Sequence, residues 1–279
     1  MRFLSILMGS ILVTILIFMM ARFWGQSQQY TAYEHPFFSA SSAPFYIARV
    51  NSLGEAASAD ILSPQAIFWL DVRLTRDNKI ILVEEAKSEK ILTKEKLGLE
   101  SFRGPGVTRY TFDEVQKYIP GSTTLTEILT KYPLRRMILN IVDNVENIHQ
   151  IVSESLPDPK ANEQILIQSD THVVMTSIKE LRPLWLYGTS QADIMRLLSF
   201  ESLFILPAAP FKGDVFITPI KILGRHVLNA AVIEEMKHRK KKIVIGPISN
   251  ENDFKDAKQL SPDGYFLENP EISGRWLQM

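Results

Sequence analysis

Nine short apolar runs after residue 44 constrain the fold of this chain more than any other feature: FYIARV, AIFWLDV, KIILVE, RRMILNIV, EQILIQS, LWLYG, DVFIT, KKIVIG and DGYFLE. Strands covered on both faces show as continuous apolar runs instead of an apolar and polar alternation, which is the pattern of a parallel sheet. Helix-like stretches such as TFDEVQKYI and LNAAVIEEMKHRKKK lie between most of them. Alternation repeated this often predicts a β/α barrel, with a doubly wound open sheet as the alternative. No internal repeat, low-complexity segment or composition shift divides the stretch after Pro44, so residues 45–279 are expected to form one domain.

The N-terminus has a different character. FLSILMGSILVTILIFMMA, Phe3 to Ala21, runs 19 residues without a charge between Arg2 and Arg22. At about 1.5 Å per residue this nearly spans a hydrocarbon core of about 30 Å. Apolar regions of signal peptides are normally shorter, about 7–15 residues, and need small residues before the cut. Only Gly25 and Ser27 offer that pattern. Residues 1–24 therefore read as an uncleaved single-pass anchor, with a cleaved signal and a secreted product as the alternative. Residues 25–44, GQSQQYTAYEHPFFSASSAP, are polar and Ser-rich and read as a juxtamembrane linker. Arg2 and the terminal amine on one side face Arg22 on the other, and the body is expected outside the cytoplasm.

The chemical inventory is short. With no cysteine there is no disulfide, thiolate nucleophile or thiolate metal site. The 31 basic residues balance 31 acidic ones, so no global field draws in nucleic acid, which is not expected as a partner. Carboxylates, five histidines and the backbone remain.

Trp69 to Glu85 reads WLDVRLTRDNKIILVEE: one strand, a turn over Thr75-Arg76-Asp77-Asn78, and a second strand from Lys79 to Glu84. It resembles, without a gap, the segment ELDVxLTxDGxxVVxHD of the glycerophosphodiester phosphodiesterase family. Further likeness follows in the same order along the chain. TLTEIL (Thr124 to Leu129) resembles the family's PTLEEVL, and MILNIVDN (Met137 to Asn144) sits where the family has a strand ending NIEIK. Ile167 to Asp170 resembles QSFD, Ile245 to Asn250 (IGPISN) resembles WTVN, and Asp263 to Pro270 (DGYFLENP) resembles DGIITDxP. A local similarity to the HAVNS motif of menorin-like proteins covers Ala48 to Ser52. The resemblance implies a TIM barrel of the phospholipase-C-like phosphodiesterase type behind the single transmembrane helix.

The resemblance also implies a chemistry, and this chain departs from it position by position. The family holds a divalent metal, Ca2+ or Mg2+, with the Glu and Asp of ELD and the Glu of NIEIK, and uses two histidines for proton transfer. Hard cations need several oxygen ligands, and proton transfer near neutral pH suits imidazole. Here Trp69 replaces the first carboxylate, Asp71 is retained, and Val142 falls at the third. Asp143, one residue on, points to the opposite face if the strand register holds. The histidine positions carry Ala48 and Glu84, with Glu85 beside the latter. The resemblance thus implies a catalytically inactive barrel acting as a binding or interaction module, without a resident metal. The alternative is an active metal-dependent phosphodiesterase with relocated ligands, Asp71 and Asp143 being the metal candidates, joined by Glu84 and Glu85.

Other candidates have two readings each. Arg49 can grip an anion or pair with Asp71 or Glu84. Trp69 can fill the barrel or form a stacking floor for a ligand. Asn250 caps or orients its loop. The run HRKKK, His238 to Lys242, offsets a helix C-terminus or meets anionic lipid headgroups, which with a partner protein are the partners expected besides the membrane. The five histidines are expected at the surface or in loops.

Overall fold

The computed structural model describes residues 2–32, 34–39, 43–83, 106–157, 160–222 and 224–268. The chain opens with α1 (Arg2–Gln26) and α2 (Pro36–Ser39). It continues through β1 (Phe45–Arg49), α3 (Leu53–Leu62), β2 (Ile67–Leu74), β3 (Ile80–Leu82), α4 (Phe112–Tyr118), β4 (Thr123–Thr124), α5 (Leu125–Lys131) and β5 (Met137–Ile141). Next come α6 (Ile148–Ser155), α7 (Lys160–Gln164), β6 (Ile165–Gln168), α8 (His172–Leu181), β7 (Leu186–Tyr187), α9 (Gln191–Ser202) and β8 (Val215–Thr218). The last elements are the hairpin of β9 (Lys221–Ile222) and β10 (Arg225–His226), then α10 (Ala230–His238), β11 (Lys242–Ile248), α11 (Glu251–Gln259) and β12 (Gly264–Leu267). All nine apolar runs form strands.

Eight of those strands run parallel in the order β7-β6-β5-β2-β1-β12-β11-β8, so the first strand lies between the second and the last. That closes the sheet into a TIM-type barrel and sets aside the doubly wound alternative. The seam between β7 and β8 has no regular ladder. There the Asp214 amide donates to the Tyr187 carbonyl at 2.8 Å. The Thr189 hydroxyl donates to the Val215 carbonyl (2.8 Å) and accepts from the Ile217 amide (2.9 Å), so a side chain supplies the missing rungs. The ninth run is β3, which folds back antiparallel on β2 with Val72 opposite Leu82. Its turn carries Asn78 in the left-handed region at φ 60°, which Asn tolerates.

Side-chain alternation sorts the strands into two layers. Ile47, Ile67, Trp69, Ile138, Leu166, Val215, Val244 and Phe266 fill the barrel, while residues of the other parity pack outward beneath the helices. The helices begin where the sequence supplies caps. Thr111 with Glu114 and Thr124 with Glu127 form capping boxes, and Asn250 caps α11 by accepting the Asp253 amide at 2.9 Å.

The segment expected as a linker is only partly one. Helix α2 closes the floor of the barrel: Phe37 is fully buried among the interior side chains, its ring edge-on to Phe38 at 5.1 Å. Arg136 donates to the Phe37 carbonyl at 2.9 Å. His35, expected at the surface, is buried and its Nδ1 accepts the Phe37 amide at 3.1 Å, fixing the entry to the helix. Burial holds its imidazole below the usual value of 6.5. The apolar pair Phe37-Phe38 inside a polar stretch is the signal for this plug.

Helix α1 contains a span from Ile6 to Gln26, 21 residues of mean hydropathy 2.2, long and apolar enough to cross a membrane and not covered by the barrel. Its last turn docks on the 3-10 turn Leu206–Ala208 between α9 and β8. Gly25 makes this possible, since a Cβ there would lie 2.3 Å from the Pro207 backbone. Arg22 donates to the Phe204 carbonyl at 3.1 Å.

Candidate functional site

The C-terminal ends of the barrel strands frame a cavity of about 640 Å³. This is the end at which the fold places ligand sites, because the strand-to-helix loops converge there. One residue parity per strand points inward, which brings Arg49, Asp71, Val142, Asp170 and Glu268 to one mouth, above Trp69, Asn140, Gln168 and Phe266.

Asp71 is the centre of a donor cluster. Its Oδ1 accepts from the Trp69 indole Nε1 and from the Asn140 amide, each at 2.8 Å, and the Arg49 Nε stands 3.5 Å from Oδ2. Arg49 also donates to Glu268 at 3.0 Å, and its guanidinium lies 5.3 Å from the centre of the Phe266 ring. Trp69 is stacked on Phe266, 4.2 Å between ring centres and 15° between planes, and is only 6% exposed. The indole therefore fills the barrel with one face on Phe266, and it also lines the floor of the cavity. Gly246 permits the stack. It sits at φ 154°, and a Cβ there would approach the Phe266 carbonyl to 2.4 Å.

A divalent cation does not fit this arrangement. Metal-binding carboxylates present lone pairs to the ion, whereas the Asp71 oxygens face an indole N–H, an amide N–H and a guanidinium. Val142 puts an isopropyl group on the same wall, and Asp143 turns away from it. The Asp143 Oδ2 accepts the Leu74 amide at 2.8 Å and its Oδ1 stands 3.1 Å from Arg73 Nε. Burial raises its carboxyl above the usual value, against the pull of Arg73 and the Leu74 amide. The expected metal pair of Asp71 and Asp143 is thus not brought together, because successive strand residues face opposite sides and each carboxylate has its own arginine. Among the described residues no three His, Asp or Glu side chains gather as a metal-binding group.

The remaining candidates distribute as follows. Ala48 packs outward under the helices, and Asn250 serves as the cap of α11, outside the cavity lining. Glu84 and Glu85 lie outside the described residues. Glu268, Asn140, Gln168, Asp170, Thr189 and Phe266 line the mouth without having been singled out as ligand candidates in the sequence. Gln168 and Glu268 are the last inward residues of their runs, a signal that becomes usable once the barrel register is known.

Asp170 gives the mouth a titration. Partial desolvation at the mouth, and then the negative charge of Asp71, push its carboxyl above the usual 3.8, although the side chain stays open to solvent, which keeps the effect small. A raised folded value means the contribution to stability is present below the unfolded value and is lost as pH rises through the folded one. The melting temperature of Asp170→Asn is therefore expected to match wild type at acidic pH and to exceed it slightly towards neutrality, solvent screening at this exposed position keeping the gain small. A difference that stays constant across the scan would show that Asp170 titrates as a free carboxylate.

No protein-family profile and no curated protein matches this chain. Solved structures do. The glycerophosphoryl diester phosphodiesterase domain of an uncharacterized Mycobacterium tuberculosis protein superposes with a TM-score of 0.63 at 12% identity, covering 85% of this chain and 100% of that one. A glycerophosphodiester phosphodiesterase of Parabacteroides distasonis gives 0.59 at 12% identity over 85% and 98%. A phosphodiesterase of Oleispira antarctica, solved with its product sn-glycerol-3-phosphate, gives 0.54 at 15% identity over 85% and 98%. The chain thus shares its barrel fold with glycerophosphodiester phosphodiesterases. At these identities the likeness is one of fold.

Proposed function

We propose that this chain is a degenerate, catalytically inactive relative of the glycerophosphodiester phosphodiesterases, held at a membrane by α1 with the barrel outside the cytoplasm, and that it works as a binding or interaction module. The observation that carries the reading is the donor cluster around Asp71, with two hydrogen bonds on Oδ1 and the Arg49 guanidinium beside Oδ2. The one carboxylate retained from the family's metal set is hydrogen-bonded by Trp69, which stands at another ligand position, and is paired with Arg49. The general principle is that a fold survives the loss of its chemistry, because barrel packing and loop chemistry are separate constraints. Both histidine positions of the family are changed, to Ala48 and Glu84, so neither of its two proton-transfer imidazoles is present here.

The test uses the full chain in detergent, with calcium and magnesium titrated by calorimetry and glycerophosphocholine hydrolysis assayed in the same samples. The expected result is no product and metal binding no tighter than about millimolar, the range of weak oxygen sites. Micromolar binding with turnover, both abolished by Asp71→Ala, would instead establish the active alternative with relocated ligands.

A further inference from the structure

The described body exposes few large apolar side chains, and they are not scattered. Outside α1 these are Ile61, Leu62, Leu134, Val173, Leu181, Leu184, Met195, Leu203 and Phe204. All but Val173 and Met195 occupy helix ends or loops that lead from a helix into the next strand. In a β/α barrel those connections emerge at the strand N-termini, so the apolar residues gather on the floor, opposite the mouth. Leu134, Phe204 and Leu184 are 84%, 78% and 74% exposed, more than isolated surface leucines need to be.

The same face is basic. A cleft of about 600 Å³ in the floor is lined by Lys237, Lys240, Lys241 and Lys242 together with His35, Glu34, Asp214 and Asp263, so four lysines outnumber three carboxylates. Lys242 is paired with Asp263 at 2.9 Å and Lys241 approaches Asp214 at 4.0 Å. Lys237 and Lys240 are left exposed over the opening. Arg239, although central to the HRKKK run, is buried and spends its guanidinium on the Ala209 and Pro207 carbonyls and on Glu235, so it belongs to the scaffold and not to the patch.

The candidate span attaches beside this face. Arg22, at its end, is bound to the carbonyl of Phe204, and Phe23 and Trp24 are 64% and 65% exposed at the same level. Aromatic residues at the end of a span mark the bilayer interface, which places Phe204 there too. From these observations we propose that the floor of the barrel rests on an anionic lipid surface. Leu134, Leu184 and Phe204 enter the headgroup region, Lys237 and Lys240 meet lipid phosphates over the cleft, and the mouth is turned away from the bilayer. Apolar insertion and basic attraction add in such contacts. The inference rests on the proposed anchoring by α1.

The test exploits the absence of cysteine. Single nitroxide labels are placed on the full chain as Leu134→Cys, Leu184→Cys, Val173→Cys and Leu12→Cys, in phosphatidylcholine vesicles with and without phosphatidylglycerol. Accessibility to oxygen and to a water-soluble nickel chelate is then compared. The expected ratio of oxygen to nickel accessibility is severalfold higher at 134 and 184 than at 173, and falls when phosphatidylglycerol is omitted. Labels at 134 and 184 as open to nickel as 173, with the label at 12 still in lipid, would overturn the inference and leave the anchor standing. A label at 12 open to nickel would overturn the anchor and the inference with it. Shielding of 134 and 184 from both reagents would show that a protein, a second copy or another chain, covers the floor, and would also overturn it.

Discussion

Replacing Trp69 by alanine is expected to destabilise the barrel by about 3–5 kcal/mol, the range for emptying a large buried aromatic site. Two losses combine there. The stack on Phe266 disappears from the top of the barrel interior, and Asp71 loses one of its two close hydrogen-bond donors, leaving Asn140 and the more distant Arg49 to hold a buried charge. The conservative variant separates them. Trp69→Phe keeps a ring against Phe266 and removes only the indole N–H, so its cost is expected near the 1.5–3 kcal/mol of a hydrogen bond to a charged group, about half or less of the alanine value. Denaturant unfolding of the full chain in detergent, followed by far-ultraviolet circular dichroism, reads both. A loss below about 1 kcal/mol for Trp69→Ala, the level of an ordinary surface change, would mean that the indole is not packed as described.

The second large effect is expected at the opposite end of the barrel. Phe37→Ala removes a fully buried ring from the floor, and a loss of about 3–5 kcal/mol is expected. The sharper version concerns the chain boundary. A form beginning at Gln28 keeps α2 and is expected to unfold cooperatively, whereas one beginning at Phe45 leaves the floor open. Without α2 the side chains of Phe45 and Ile47 lose the cover of Phe37, and Arg136 loses its carbonyl acceptor. The expected result is a midpoint lowered by at least as much as in Phe37→Ala, together with dye binding typical of exposed apolar surface. Equal stability of the two truncated forms would show that α2 is an appendage to a barrel already complete at Phe45.

These two positions also show how legibility differed along the chain. Trp69 lay in the segment that most resembles a known family, so its place at a position where that family has a metal ligand was readable from the resemblance, and its inward orientation from strand alternation. Phe37 lay in a polar, Ser-rich stretch whose composition pointed to a linker. Only an unfilled barrel floor gives it a reason to be buried. Arg239 is similar: five consecutive cationic or ionisable residues read as a solvated helix end, and the third-dimensional fact that three carbonyls and Glu235 converge on one of them is absent from the pattern.

By itself the sequence determined the strands, and its resemblance to a known family supplied the expectation of a closed barrel whose ligand positions carry other residues. Apolar runs record burial on both faces, alternation records which parity turns inward, and residue type at each inward end says what can be donated or accepted. That was enough to expect a barrel, a span, and an Asp71 left without its metal partners. Tertiary structure alone decided what surrounds Asp71: Trp69 is its neighbour on the same strand, but Asn140 and Arg49 come from the two flanking strands and reach it only once the sheet is assembled. It also decided that Asp143 leaves the mouth and that the exposed leucines share one face. Those outcomes depend on distances between residues far apart in the chain, which local sequence does not encode.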